Sequence, residues 1–310
     1  MEIIHDNTKF QGSTSVTIGV FDGVHSGHQK LLEQLSADAK SKNLKSALVT
    51  FDCHPLSVIA PGHSPKMLMT LDRKLELIEQ TGLVDVVLVV DFNAIRAAQS
   101  AEDFVKEVLV EQLGSKSILI GENFQFGHGR RGNFAMLKEL SVNFGYEVER
   151  VTLLTNESES PVSSTLIRQY ISVGNVQKAK ELLTRPHELV GTVVPGDQVG
   201  NELGYPTANT QVDESMSIPA DGVYSGRAIL ENGSVYKSAI SIGVRPMFHD
   251  DNIRVIEPHL LDFDEVIYGQ QLKIEFEEKL REQLVLPSVE DLISQIDEDV
   301  ETVRATVQAG

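Results

Sequence analysis

The chain has 310 residues, with 45 Asp and Glu against 27 Lys and Arg, for a formal net charge of −18. That length accommodates two domains with separate cores. The acidic excess argues against a broad nucleic-acid footprint and favours a small-molecule enzyme or an acidic soluble partner, so any anionic ligand has to be held locally by backbone N–H groups and a few basic side chains. The single cysteine, Cys53, leaves no intramolecular disulfide and fits a reducing, cytoplasmic compartment. The early residues lack the basic and apolar regions of a signal peptide, and no apolar run reaches the roughly 18 to 20 residues needed to span a bilayer. A membrane transporter is therefore excluded.

In chain order, residues 15–21 read as a buried strand and Leu31, Leu32, Leu35 and Ala39 recur at helical spacing. Between them lies Gly19-Val-Phe21-Asp22-Gly23-Val-His25-Ser-Gly-His28-Gln29. Ser26 and Gln29 have the form of a capping box, which predicts a helix start whose unpaired N–H groups attract an anion beside His25 and His28. A capped helix with two surface histidines, or a metal site using Asp22, His25 and His28, are the other readings of this stretch. Residues 46–51 form a second apolar strand that ends in Asp52-Cys53-His54-Pro55, where proline stops regular structure. Residues 71–80 read as a helix, 85–91 as a buried strand, 101–113 as a helix started by Ser100, and 116–121 as the next strand. Strands alternating with helices predict an α/β, Rossmann-like domain with a parallel sheet.

The fourth of these strands runs into a segment dense in glycine, aromatic and basic residues, with Asn123, Phe124, Phe126 and Arg130. It suits close backbone approach to a ligand, and Arg130 suits phosphate; core packing of the phenylalanines and a solvated basic turn are the alternatives. A helix over 133–144 and a strand over 147–153 follow, then an acidic loop at 155–161 and a helix start at Ser163-Ser164-Thr165-Leu-Ile-Arg168. A short helix over 174–183 leads to a domain junction at Thr184-Arg185-Pro186. Beyond it, short strand-like runs at 188–194, 223–230, 235–242, 254–261 and 272–276 predict a small antiparallel β-barrel or sandwich, and 288–308 a C-terminal acidic helix.

The string from Gly19 to His28 resembles the opening motif of bacterial bifunctional riboflavin kinase/FAD synthetases, whose H-x-G-H belongs to the nucleotidylyltransferase superfamily. Four further segments resemble motifs of the same family, in the same order: Thr50-Phe-x-x-His54-Pro, the Gly121 to Gly132 segment, Ser163 to Arg168, and Gly204-Tyr-Pro206-Thr207-Ala-Asn209. The resemblance covers nearly the whole chain. It implies an FMN adenylyltransferase domain over residues 1–184 and a riboflavin kinase domain over 185–310. It implies that riboflavin is phosphorylated by ATP to FMN, and that FMN is adenylylated by a second ATP to FAD with release of pyrophosphate.

In that reading His25 and His28 hold the α-phosphate, and Ser164, Thr165 and Arg168 lie near the pyrophosphate. Gly19, Phe21, Asp22, Gly23, His54, Asn123, Phe124 and Arg130 line the nucleotide and flavin site. Thr207 and Asn209 hold Mg²⁺, Gly204 and Pro206 shape that site, and Glu257 is the general base on the riboflavin hydroxyl. The sequence departs from the family pattern at Asn201, Met247 and Pro258. An FAD synthetase with a noncatalytic flavin-binding barrel, and a flavin- or nucleotide-binding regulator, are the alternatives. His128 and His259 carry no assigned role, and oligomeric state is open.

Overall fold

The computed structural model describes residues 1–121, 124–151, 162–196, 200, 203–244 and 254–308. Asn123, the loop at 155–161, Asn201 and Met247 lie outside the described residues. Two compact units divide between Ser164 and Thr165.

The first unit is built on a six-stranded sheet in the order β1-β4-β3-β2-β5-β6, with every neighbouring pair parallel. The strands are β1 Glu2–His5, β2 Thr14–Ile18, β3 Lys45–Phe51, β4 Val86–Val90, β5 Ser115–Gly121 and β6 Glu147–Val151. β2 and β4 are buried along their whole length, as strands covered on both faces should be. Helix α1, Ser26–Ser41, lays Leu31, Leu32, Leu35 and Ala39 against the sheet. Helix α3, Leu71–Thr81, starts at a Thr70 cap and stops at Gly82, whose φ of 64° lies in the left-handed region. The order runs from β2 outward to β4 on one side and β6 on the other, so the switch point falls between β2 and β5, where an open α/β sheet leaves a crevice at its carboxyl ends.

Several local expectations are corrected. β1 was not expected from the sequence: only Ile4 of its four residues is buried, so it lacks the pattern of a core strand. Pro55 does not end regular structure but opens a short helix, α2 Pro55–Ile59, at the position where proline's missing N–H costs nothing. The helix started by Ser100, Ala101–Phe104, continues as a π-helix over Val105–Gln112 that turns Val105, Val108 and Leu109 into the core.

The second unit begins with α7, Ser164–Ser172, most of which belongs to it, and α8, Val176–Leu183. It is dominated by a closed antiparallel barrel in the order β10-β11-β8-β7-β12-β9. Its strands are β7 His187–Val193, β8 Thr210–Val212, β9 Gly222–Leu230, β10 Val235–Val244, β11 Arg254–Leu260 and β12 Gln271–Arg281. Closure removes the sheet edges that short strands would otherwise expose. Tyr224 and Phe276 meet edge to face at 5.6 Å in its interior. The C-terminal helix, Val289–Thr306, packs Val300 and Val303 against Ala239 and Leu261, and its Asp299 accepts from both Nε and Nη2 of Arg281 at 2.7 to 3.1 Å. Among the described residues no helix is long and apolar enough to cross a membrane.

His187 is buried in the barrel, where its Nε2 donates to the Ser217 carbonyl at 2.7 Å. Burial pushes its pKa down from 6.5 to about 4. Between those values the unfolded chain binds a proton that the folded barrel refuses, so stability present above pH 6.5 is lost as the pH falls. Denaturant titrations at about pH 7 and about pH 4.5 should show the wild-type chain losing about 2–3 kcal/mol more than His187→Gln, which keeps a donor for Ser217 but does not titrate.

Candidate active sites

The chain leaves β2 through Gly19, whose N–H extends the ladder by donating to Val49 at 3.0 Å, and reaches α1 through an unusual turn. Phe21, Gly23 and Val24 have φ of 54°, 90° and 39°. A left-handed conformation at a β-branched residue is costly and persists only where its surroundings enforce it. Here Phe21, Asp22 and Val24 are all buried. Both carboxylate oxygens of Asp22 accept from Leu68 N–H, at 3.0 and 3.1 Å, and its carbonyl accepts from Ser164 Oγ at 2.8 Å. Asp22 and Ser164 thus hold the turn itself.

His25, rather than Ser26, caps α1: its Nδ1 accepts from His28 N–H at 3.3 Å. Gln29 reaches back to the Val24 carbonyl at 3.1 Å. With Nδ1 accepting, a neutral His25 carries its proton on Nε2. The His25 and His28 rings stack at 3.6 Å, 18° from parallel, and Phe21 lies against His28 at 4.6 Å. Gly27 permits this packing, because a Cβ there would stand 3.2 Å from His25 Nδ1 and 3.3 Å from the Val162 carbonyl. Burial, then His25 and Lys74, hold the His28 pKa well below its ordinary value. At neutral pH His28 is uncharged, and its buried Nδ1 has no hydrogen-bond partner among the described residues. The first turn of α1 carries no acidic residue; the His28 and Gln29 N–H groups donate to His25, which leaves those of Ser26 and Gly27 at the positive end of the helix, where an anion is favoured.

The neighbouring strand ends contribute less directly. His54 Nδ1 caps α2 by accepting from Leu56 N–H at 3.2 Å. Phe124 stacks on Phe126 at 5.6 Å and joins the core. Arg130 is exposed in the turn after β5, with φ of 58°. His128 Nδ1 lies 3.3 Å from the Ala97 carbonyl. Thr165 and Arg168 follow on α7, within the second unit. Sequence reasoning missed Lys74, which is buried at the carboxyl ends of β2 and β3. A lysine within a helical stretch reads as surface, and only tertiary contacts reveal otherwise.

In the barrel, Glu257 sits on β11 between the buried Ile256 and Pro258, so it and His259 point to the outer face. It pairs with Ser241, whose Oγ accepts from Gln283 Nε2 at 3.0 Å. The segment from Gly204 to Thr210 is fastened to the same strand. Ala208 N–H donates to the Pro258 carbonyl at 2.9 Å, His259 Nδ1 donates to the Pro206 carbonyl at 2.8 Å, and Thr210 pairs with Ile256. The Gly204 φ of 90° lies in the left-handed region. Tyr205 packs edge-on to His259 at 5.6 Å and donates its hydroxyl to Asp297. His259 is therefore a clamp on the motif.

Thr207 is exposed, whereas Asn209 is buried with its amide over Gly196. A Cβ on Gly196 would fall 1.4 Å from Asn209 Nδ2, so only glycine leaves the amide where it is. Thr207 and Asn209 offer hydroxyl and amide oxygens, the hard donors that Mg²⁺ accepts alongside phosphate and water. Among the described residues no group of three or more His, Cys, Asp or Glu is arranged to hold a metal ion. Asp22 and His25 have their oxygens and Nδ1 directed to backbone N–H groups.

Comparison with known proteins bears on both sites. The family model for FAD synthetase matches residues 7–166 and that for riboflavin kinase matches residues 183–307. The bifunctional riboflavin kinase/FMN adenylyltransferase of Haemophilus influenzae is 36% identical over 302 residues, 97% of each chain. The protein of the same name from Bacillus subtilis is 34% identical over 294 residues, 93% of this chain and 91% of its own. The crystal structure of a macrolide-efflux protein from Streptococcus pneumoniae shares the fold with a TM-score of 0.86 at 28% identity, over 99% of this chain and all of that one. With both domain types in sequence and relatives matched almost end to end, the chain belongs to the family of bifunctional riboflavin kinase/FMN adenylyltransferases.

Proposed function

We propose that the turn and helix start around His25 and His28 carry adenylyl transfer from ATP to FMN, and that the barrel face around Glu257 carries phosphoryl transfer from ATP to riboflavin. The observation that supports the first assignment is the stacked histidine pair, His25 buried and His28 half-buried, at the N-terminus of α1, at the carboxyl end of β2. In this step a phosphate oxygen of FMN attacks the α-phosphorus of ATP, the bond from that phosphorus to the bridging oxygen breaks, and pyrophosphate leaves. The FMN phosphate is already ionised, so no strong base is required. Catalysis then rests on position and on donors aimed at the developing charge, supplied by His25 Nε2, His28 and the N–H groups of Ser26 and Gly27.

Asn123 and Arg130 serve phosphate, Ser164, Thr165 and Arg168 the pyrophosphate end, and Gly19, Phe21, Asp22, Gly23, His54 and Phe124 the shape of the nucleotide and flavin site. Ser164 already holds the Asp22 carbonyl, so its contribution includes fixing the turn.

In the barrel, Glu257 accepts the proton of the riboflavin hydroxyl as that oxygen attacks the γ-phosphorus of ATP, and ADP leaves. Thr207 and Asn209 hold Mg²⁺, with Gly204 and Pro206 setting the backbone around them. Bound Mg²⁺ neutralises charge on the transferring phosphates. Asn209 keeps its orientation through Gly196, and Thr207 lies between two residues whose backbones are tied to β11.

The two sites separate by mutation. His28→Ala should lower the rate of FAD formation from FMN by about 10² to 10⁴, and Glu257→Gln the rate of FMN formation from riboflavin by a similar factor, each leaving the other reaction within about twofold. Chromatographic assays of both reactions on each variant check this, and a crossed pattern of losses contradicts the assignment. Gly196→Ala should displace the Asn209 amide and raise the KM for Mg·ATP in riboflavin phosphorylation by about tenfold, with FAD formation from FMN unchanged. Steady-state kinetics at varied Mg·ATP measure it.

A further inference from the structure

Lys74, on α3, is 3% exposed. Its Nζ donates to the Val20 carbonyl at 3.2 Å, to Thr50 Oγ1 at 2.9 Å and to the Phe51 carbonyl at 2.9 Å. Thr50 Oγ1 in turn donates to the Val20 carbonyl at 3.0 Å. All three ammonium protons are thus directed to backbone and hydroxyl oxygens where the chain leaves β2 and β3. One of those exits enters the turn that carries His25 and His28, and the other enters Asp52, Cys53 and His54.

A buried ammonium is an expensive choice of clamp. Burial lowers its pKa to about 8, while Asp22, Asp52 and Cys53, the groups facing it from the two turns, act in the opposite direction. Methionine would fill comparable space without that desolvation. The cation also acts on the site itself, since its field helps keep His28 uncharged. A fixed positive charge at the strand ends is useful where a phosphate gains negative charge during reaction.

We propose that Lys74 is a positioning residue for adenylyl transfer: its ammonium locks the ends of β2 and β3 together, holds the two histidine-bearing turns in register, and supplies fixed positive charge behind the phosphate site. This rests on the adenylyl-transfer reading of the His25/His28 turn. Lys74 does not touch the reacting atoms. It acts through the Val20 and Phe51 carbonyls and Thr50.

The test uses the full chain carrying Lys74→Met, Lys74→Arg or His28→Ala, with riboflavin phosphorylation by the same preparation as an internal measure. Lys74→Met should lower kcat for FAD formation by at least about 100-fold, with FMN formation from riboflavin within about twofold, and Lys74→Arg should recover at least about tenfold of the loss. A Lys74→Met chain with kcat for FAD formation within about threefold of wild type overturns the proposal, as does a loss fully accounted for by a reduced folded fraction. If His28→Ala leaves FAD formation intact, the reading of the turn falls and the proposal falls with it. Should Lys74→Met fail to fold, the wild-type pH profile decides. With the Lys74 pKa near 8, kcat for FAD formation should decline as pH rises past about 8 while riboflavin phosphorylation does not, and Lys74→Arg should move that decline upward. A wild-type profile for FAD formation that stays flat to about pH 10 overturns the proposal.

Discussion

The hydrogen bond from His28 N–H to His25 Nδ1 is the contact on which the proposed adenylyl-transfer site depends. It does three things at once. It caps α1, fixes the proton of a neutral His25 on Nε2, and brings the two rings into a stack 3.6 Å apart. The chain reaches that geometry only through left-handed backbone at Phe21 and Val24, and the strain is held in place by buried contacts, by Leu68 on Asp22 and by Ser164 on the Asp22 carbonyl. Strain, cap and neutral imidazole are parts of one arrangement, and it suits the anion-binding role proposed for the turn in a chain whose net charge is −18.

The barrel reaches its site by a different route. There the proposed functional segment has little regular structure of its own, and its order comes from being fastened to β11 on both sides of Glu257, through Pro206 to His259 and Ala208 to Pro258 on one side and through Thr210 to Ile256 on the other. Pro258, a departure from the family pattern, still contributes a carbonyl to that fastening and lies inward, opposite Ile240. The proline therefore leaves the outward course of Glu257 intact.

Much of this was legible in the sequence because period and punctuation agree. The buried runs of β2 and β4, the Leu31, Leu32, Leu35 and Ala39 stripe, and the Ser100 cap each announce an element that the fold contains. The strands left unread, β1 and β8, are only four and three residues long and derive their stability from the strands they pair with. The cap of α1 was misread because a histidine took a role usually filled by the serine beside it. Lys74 and Gly196 were invisible for a more general reason. Neither belongs to a local pattern, and their importance arises from Val20, Phe51 and Asn209, which are distant in sequence and adjacent in space.

Two ordered transfers at two distinct sites of one chain leave a kinetic signature. A chromatographic time course with purified protein, riboflavin, ATP and Mg²⁺, run beside a start from FMN, tests it most directly. The account predicts FMN first and FAD after it from riboflavin, and FAD without a lag from FMN. FAD formed only when FMN is supplied would contradict the role of Glu257 and the barrel, and no product from either start would contradict both assignments.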